Sequence, residues 1–288
     1  MKCVYEEFRR IGVALGFEIF LEKNSAKMIG AESEMDFKQL CAKSNALVSI
    51  GGDGTLISLM RGASEFDKPI FGVNMGRLGF LTSIKIDELE DFLGELKSGE
   101  FDLRSHLMLG GEILSQNIEL QNPNAESQNL NIESHNPNIE SRKIRCVNEF
   151  LLTKQNICGM ISIRAKINGR YFNTYRSDGL IIGTPTGSSA HNISAGGSIV
   201  YPYNRNILLT PICAHSLTQK PLVLSDEFVL EFSIIEGSAR IVIDGQEVLD
   251  FPQGAVFRVN ALDKSVRLAY RKNRDYFAIL REKFGWGN

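Results

Sequence analysis

Val4, Phe8, Ile11, Ala14 and Leu15 recur at spacings of three and four, the period of one helix face. The chain is therefore predicted to open on a helix that ends near Gly16 and Phe17, with a short strand expected over residues 18–21. Residues 46–50 have the character of a buried strand. They run at once into Gly51-Gly52-Asp53-Gly54-Thr55 and then into a helical pattern over 56–61. The same order repeats with a strand at 69–73, a turn through Asn74-Met75-Gly76-Arg77-Leu78-Gly79-Phe80, and a helix over 87–96. Strands alternating with helices predict a parallel α/β sheet up to about residue 100. Thereafter strands dominate, at 147–153, 159–167, 228–235, 240–243 and 255–259, and predict an all-β second domain. Residues 271–284 read as a helix returning to the first domain. The expected division is thus 1–103 with 271–288, then 104–270.

Residues 121–127 (QNPNAES), 128–134 (QNLNIES) and 135–141 (HNPNIES) are three copies of one seven-residue unit. The period suggests a coiled coil, but Pro123 and Pro137 break helices, Asn fills two positions of every copy, and one position per unit is weakly apolar. The reading is a flexible hairpin insertion over 115–142 that is silent in function.

Composition narrows the function classes. With 32 Lys and Arg against 34 Asp and Glu, the net charge of −2 lacks the basic excess of a nucleic-acid binder. No apolar run approaches a membrane span, and the acidic start Met1-Lys2-Cys3-Val4-Tyr5-Glu6-Glu7 is unlike a signal peptide, so a cytoplasmic protein is expected. The five cysteines (Cys3, Cys41, Cys146, Cys158, Cys213) form no CxxC pair and read as mostly buried thiols. Four histidines at no ligand spacing imply no protein-held structural metal.

Four patterns carry candidate chemistry. A strand ending in Gly51 and Gly52 and opening a helix brings backbone N–H groups to a phosphate at the positive helix end. Asp53 then lies at the carboxyl end of a strand, where ligands bind in open α/β sheets. There a carboxylate can accept a proton from an attacking hydroxyl or hold a cation, although Asp53-Gly54 is also a favoured tight turn. The stretch from Asp178 to Ser194 runs from a strand into small and hydroxyl residues suited to wrapping a polar ligand, or serves as a plain loop. Asn148 and Glu149 interrupt an apolar strand and need polar partners, which ribose hydroxyls or neighbouring backbone would supply. Asp244-Gly245-Gln246 reads as a hairpin turn before it reads as a ligand-facing one.

Taken together, Gly51-Gly52-Asp53-Gly54-Thr55, Asn74 to Leu81, Asn148-Glu149, Asp178 to Gly197 and Asp244-Gly245-Gln246 occur in the order and approximate spacing that resembles bacterial NAD kinases. The likeness spans nearly the whole chain outside the repeats. It implies an N-terminal Rossmann-like parallel sheet domain, a C-terminal β-sandwich, and assembly as a homodimer or homotetramer. It also implies ATP-dependent phosphorylation of the adenosine-ribose 2′-hydroxyl of NAD⁺ to NADP⁺ with a divalent cation, usually Mg²⁺; polyphosphate is an alternative donor. Asp53 matches the catalytic base, Gly51, Gly52 and Gly54 the phosphate- and NAD-facing turn, and Asn148 and Glu149 the pair that holds the dinucleotide. Arg176 and Asp178 match a further NAD-site pair often reached from a neighbouring subunit. Ser189, Ala190, His191, Asn192, Ile193 and Ser194 match the segment around the nucleotide, and Gln246 the glutamine of the late turn.

The chain departs from that pattern in its repeats and in two further places. It begins with the helix where the family has a strand and loop first, which leaves the sheet one strand short or the start placed late. His191 also stands where the family commonly has Tyr, with less stacking area and a titratable ring. The GGDGT turn is shared with diacylglycerol-type lipid kinases, and a sensor that binds nucleotide without chemistry is a second rival. A lipid kinase needs a membrane-facing surface, and no basic amphipathic segment supplies one.

Overall fold

The structure is a computed structural model that describes residues 1–288 apart from 77, 78, 83, 117–138, 273 and 288. The chain forms two units, Met1–His106 with Lys264–Asn288, and Leu107–Asp263.

In the first unit, strand Leu47–Gly51 runs parallel to Ile70–Asn74 in register from Leu47 with Ile70 to Gly51 with Asn74. All five residues of Ile70–Asn74 are buried, as suits a strand covered on both faces. Val266–Arg271 follows in the sheet, parallel to Ile70–Asn74, and Phe101–His106 lies antiparallel beyond it. The short strand Ile84–Lys85 adds to the end of Ile70–Asn74. Helices Lys2–Ala14 and Leu89–Ser98 contribute Phe8, Ile11, Phe92 and Leu93 to a core with Phe71 and Val73, where Phe71 meets Phe92 edge-on at 5.1 Å.

The second unit is two antiparallel six-stranded sheets. One contains Glu149–Lys154 between Gly179–Gly183 and Ala239–Ile243; the other contains Ile161–Ile167, Leu230–Glu236 and Val256–Ala261. Alternating inward residues make one core from both sheets, Phe150, Leu152 and Ile241 meeting Ile163, Phe232 and Phe257. Phe150 and Phe257 touch in a T-shape at 5.2 Å.

The α/β and all-β division of fold class is therefore present, with local differences from expectation. Residues 18–21 form no strand. Ile19 instead packs back on the opening helix, close enough that a Cβ on Gly12 would lie 2.9 Å from its Cδ1. Two seven-residue helices, Lys23–Ile29 and Phe37–Lys43, went unpredicted because they are too short to show a period, although Asp36 and Gln39 form a capping box for the second. Residues 271–284 are not one helix: strand Val266–Arg271 ends there, and helix Tyr276–Phe284 starts after the Asp275 cap. The insertion is narrower than 115–142. Its flanks belong to strands Leu109–Gln116 and Ile139–Cys146, paired up to Gln116 with Ile139, and its remainder lies outside the described residues. All five cysteines are free thiols, but Cys3, Cys158 and Cys213 are exposed and only Cys41 and Cys146 are buried.

Candidate functional site

Gly51 ends its strand and Gly52 caps helix Asp53–Ala63, so Asp53 is the first helical residue. Its carboxylate is held by a loop from the neighbouring strand. Oδ2 accepts from the Phe80 N–H at 2.8 Å, and Oδ1 accepts from the Thr82 N–H at 2.8 Å and the Thr82 hydroxyl at 2.7 Å. The Leu81 N–H is shared between both oxygens at 3.3 Å. Donors thus crowd Oδ1, while Oδ2 carries one short bond and keeps lone-pair capacity toward a ligand hydroxyl. Gly79 permits this approach, since a Cβ there would fall 1.9 Å from Oδ1.

Behind it, Thr82 is fully buried and its hydroxyl also accepts from Asn74 Nδ2 at 2.8 Å, while Asn74 Oδ1 accepts from the Gly76 N–H at 2.7 Å. Thr82 and Asn74 were missed as site residues. A polar pair inside an apolar strand and turn was the available signal. Arg77 and Leu78 of the same motif lie outside the described residues. Gly52 and Gly54 are exposed, whereas Gly51 is buried with its Cα facing Thr55.

In the second unit, Asn148 sits just before strand Glu149–Lys154 rather than within it. Asp244 fixes the entry: its carboxylate accepts from the N–H groups of Val147 at 3.0 Å, Asn148 at 2.7 Å and Glu149 at 3.3 Å. Asp244 and Gly245 both take positive φ, 50° and 66°, and the Gln246 N–H donates to the Ile243 carbonyl. This is a hairpin turn whose acid is occupied by backbone and whose Gln246 is exposed. From the other side, the Thr184 N–H donates to the Asn148 carbonyl and the Thr184 hydroxyl to the Val147 carbonyl. Gly187 lies against the same peptide, where a Cβ would come 2.2 Å from the Asn148 oxygen.

Glu149 is buried at 2% exposure, with Oε1 3.4 Å from His191 Nδ1 and Oε2 without a partner. Burial, with the Asp244 carboxylate adding to it, pushes the Glu149 carboxyl up to about 8. A neutral carboxyl both donates and accepts, as a ribose hydroxyl does. His191 opens the short helix His191–Ser194 and is exposed, as is Ser194, while Ser189, Ala190 and Ile193 are half-buried. Asn192 differs from them. It is buried at 1%, its amide donates to the Ser188 and Ser198 carbonyls, and its oxygen accepts from Thr210, so it shapes the loop from within.

Arg176 and Asp178 are not gathered with Glu149 in this chain. Asp178 precedes strand Gly179–Gly183 and accepts from Lys154 Nζ at 2.7 Å, whereas Glu149 pairs with Gly183 at the strand's other end. Five residue steps of strand, from Asp178 to Gly183, separate their levels, about 17 Å. Exposed Arg176 lies on strand Arg170–Ser177 of the other sheet. Among the described residues no three His, Cys, Asp or Glu side chains cluster as a metal site.

The ATP-NAD kinase N-terminal domain matches residues 7–101 and the ATP-NAD kinase C-terminal domain residues 147–270. The chain is 47% identical over 289 residues to the NAD kinase of Wolinella succinogenes, covering 100% of this chain and 92% of that protein. It is 50% identical over 273 residues to the NAD kinase of Helicobacter hepaticus, with 94% and 87% covered. Among solved structures, yeast NADH kinase complexed with NADH superposes with a TM-score of 0.82 at 22% identity, covering 100% of this chain and 84% of that one. An Archaeoglobus fulgidus NAD kinase in complex with ATP superposes with a TM-score of 0.66 at 25% identity, with 91% and 92% covered.

Proposed function

Because the chain belongs to the NAD kinase family, we propose that it transfers the terminal phosphoryl group of ATP to the adenosine-ribose 2′-hydroxyl of NAD⁺, giving NADP⁺ and ADP. It is a phosphotransferase. The observation that carries the assignment of Asp53 as base is its immobilised carboxylate, held by Phe80, Leu81 and Thr82, whose Oδ2 carries only one short hydrogen bond. Phosphoryl transfer is loose, so positioning and charge neutralisation supply most of the rate and the proton leaves late, to Oδ2.

Gly51, Gly52 and Gly54 form the phosphate-facing turn in this reading. Asn148 and Glu149 hold ribose hydroxyls, for which the partnerless Glu149 Oε2 is the support. Ser189, Ala190, His191, Ile193 and Ser194 line the nucleotide, Asn192 holds that loop, and Gln246 borders it. Arg176 and Asp178 serve the dinucleotide of a neighbouring copy in a homodimer or homotetramer; their distance from Glu149 within one chain supports this. A divalent cation, Mg²⁺, arrives with the donor's triphosphate as part of the substrate and neutralises phosphate charge. Free thiols support a reducing, cytoplasmic compartment, and no described helix is long and apolar enough to cross a membrane.

Purified protein given NAD⁺, ATP and Mg²⁺ is expected to form NADP⁺, read by an NADP⁺-specific dehydrogenase. Asp53→Asn is expected to lower kcat by about 10²–10⁴ with NAD⁺ affinity little changed. Near-normal turnover would remove Asp53 from the base role.

A further inference from the structure

The loop that holds Asp53 is itself held by the far end of the chain. Arg274 Nη2 donates to the Phe80 carbonyl. That carbonyl and the Leu81 N–H belong to one planar peptide group and project from opposite sides of it. The guanidinium therefore grips one side of a plate whose other side is bonded to the Asp53 carboxylate. Rotation of the plate would draw the Leu81 N–H off the carboxylate and tilt its neighbours at Phe80 and Thr82. Donation to the carbonyl also polarises the peptide and strengthens the N–H bond it makes.

Arg274 is well anchored for this task. Its guanidinium lies over the Tyr270 ring at 4.0 Å, and Tyr270 is a buried residue of strand Val266–Arg271 within the sheet. The Phe80 side chain is fixed from the same end of the chain. Its ring lies 5.8 Å from that of Phe284, the last residue of helix Tyr276–Phe284, and Trp286 stacks on Phe284 at 5.4 Å. Lys283 Nζ stands 5.9 Å from the Phe80 ring centroid. Phe80 is thus held by its carbonyl and by its ring.

We propose that Arg274 is a positioning residue for phosphoryl transfer, fixing through the Phe80–Leu81 peptide the orientation of the Asp53 carboxylate. This rests on Asp53 being the base. A displacement of about 1 Å at such a group can cost about a hundredfold in rate. Arg274→Ala is accordingly expected to lower kcat by about 10- to 100-fold while KM for NAD⁺ stays within about threefold. Arg274→Lys, which keeps a donor but not the planar stack, is expected to recover part of the loss.

The deciding measurement is a double-mutant cycle with amide hydrogen exchange on the same proteins. In the Asp53→Asn background, Arg274→Ala should lower kcat no further, because its effect passes through the absent carboxylate. Arg274→Ala alone should speed exchange at Leu81 and Thr82 but leave Val73 of the adjacent strand unchanged. Losses that multiply across the cycle, a change confined to KM, or unchanged exchange at Leu81 and Thr82 would each overturn the proposal. Normal turnover by Asp53→Asn would overturn the base assignment itself, and is read without touching Arg274. If Arg274→Ala does not fold, Arg274→Gln, an amide donor on a shorter arm, is judged by the same cycle and exchange.

Discussion

Two buried titratable side chains pull stability in opposite directions with pH. Burial raises Glu149 from 4.5 to about 8, so between those values the folded chain holds a proton the unfolded chain has released, and stability falls as pH rises. His106, whose Nε2 lies 3.2 Å from the Tyr270 hydroxyl, is lowered from 6.5 to about 3 by burial and by the Arg274 charge. There the unfolded chain binds the extra proton, so stability is lost as pH falls through that window. The slopes oppose each other between about 4.5 and 6.5, and Glu149 acts alone from about 6.5 to 8. Glu149→Gln is expected to flatten the decline above pH 6.5, by up to about 1.4 kcal/mol per pH unit, the limit for one proton. Urea unfolding at pH 6.5, 7.2 and 8 checks it, and an unchanged slope would show that Glu149 keeps no proton in the folded chain. At this scale the sequence showed Asn148 and Glu149 out of place in an apolar strand, and Asp53 in a glycine turn between strand and helix. It hid Thr82, Asn74 and Arg274, because their partners, the Asp53 carboxylate, each other and the Phe80 carbonyl, are brought close only by folding.

Elements were legible where apolar runs were long or bounded by glycine. Strand Leu47–Gly51 and helix Asp53–Ala63 were read to within a few residues because Gly51 and Gly52 punctuate the change of period. Strand Val266–Arg271 went unread, and the helix expected over 271–284 was begun five residues early, at the strand's last residue. The repeats misled at their edges. Ile139, Glu140 and Ser141 belong to the third copy by sequence, yet they pair with Gln116, Ser115 and Leu114 in an antiparallel ladder. Excision therefore has to respect the ladder rather than the repeat. Deleting residues 121–138 is expected to leave kcat/KM within a few fold, less than the tenfold that 1.4 kcal/mol represents, whereas a larger loss would give the repeats a part in the reaction.

At the scale of the whole molecule, the first unit is assembled from both ends of the chain, with residues 107–263 interposed. Val266–Arg271 sits inside its sheet, between Ile70–Asn74 and Phe101–His106. Composition and periodicity could suggest a returning helix but not this strand, because strand order depends on contacts across roughly two hundred residues. Such contacts also delay assembly, since loop closure is needed before the strand is rewarded. A chain ending at Asp263 is expected to lose the first unit's cooperative unfolding transition, seen as a missing step in urea melts. Retention of that step would show that the other strands suffice.

The position of that strand gives the protein a direction in time. During synthesis the strands at 47–51, 70–74 and 101–106 leave the ribosome long before their central neighbour exists, and the second unit can complete its own core in the interval. The gap closes only when the last twenty or so residues emerge, and Arg274 is among them. Until Arg274 has emerged, the Phe80 carbonyl lacks the donor that it has in the folded chain.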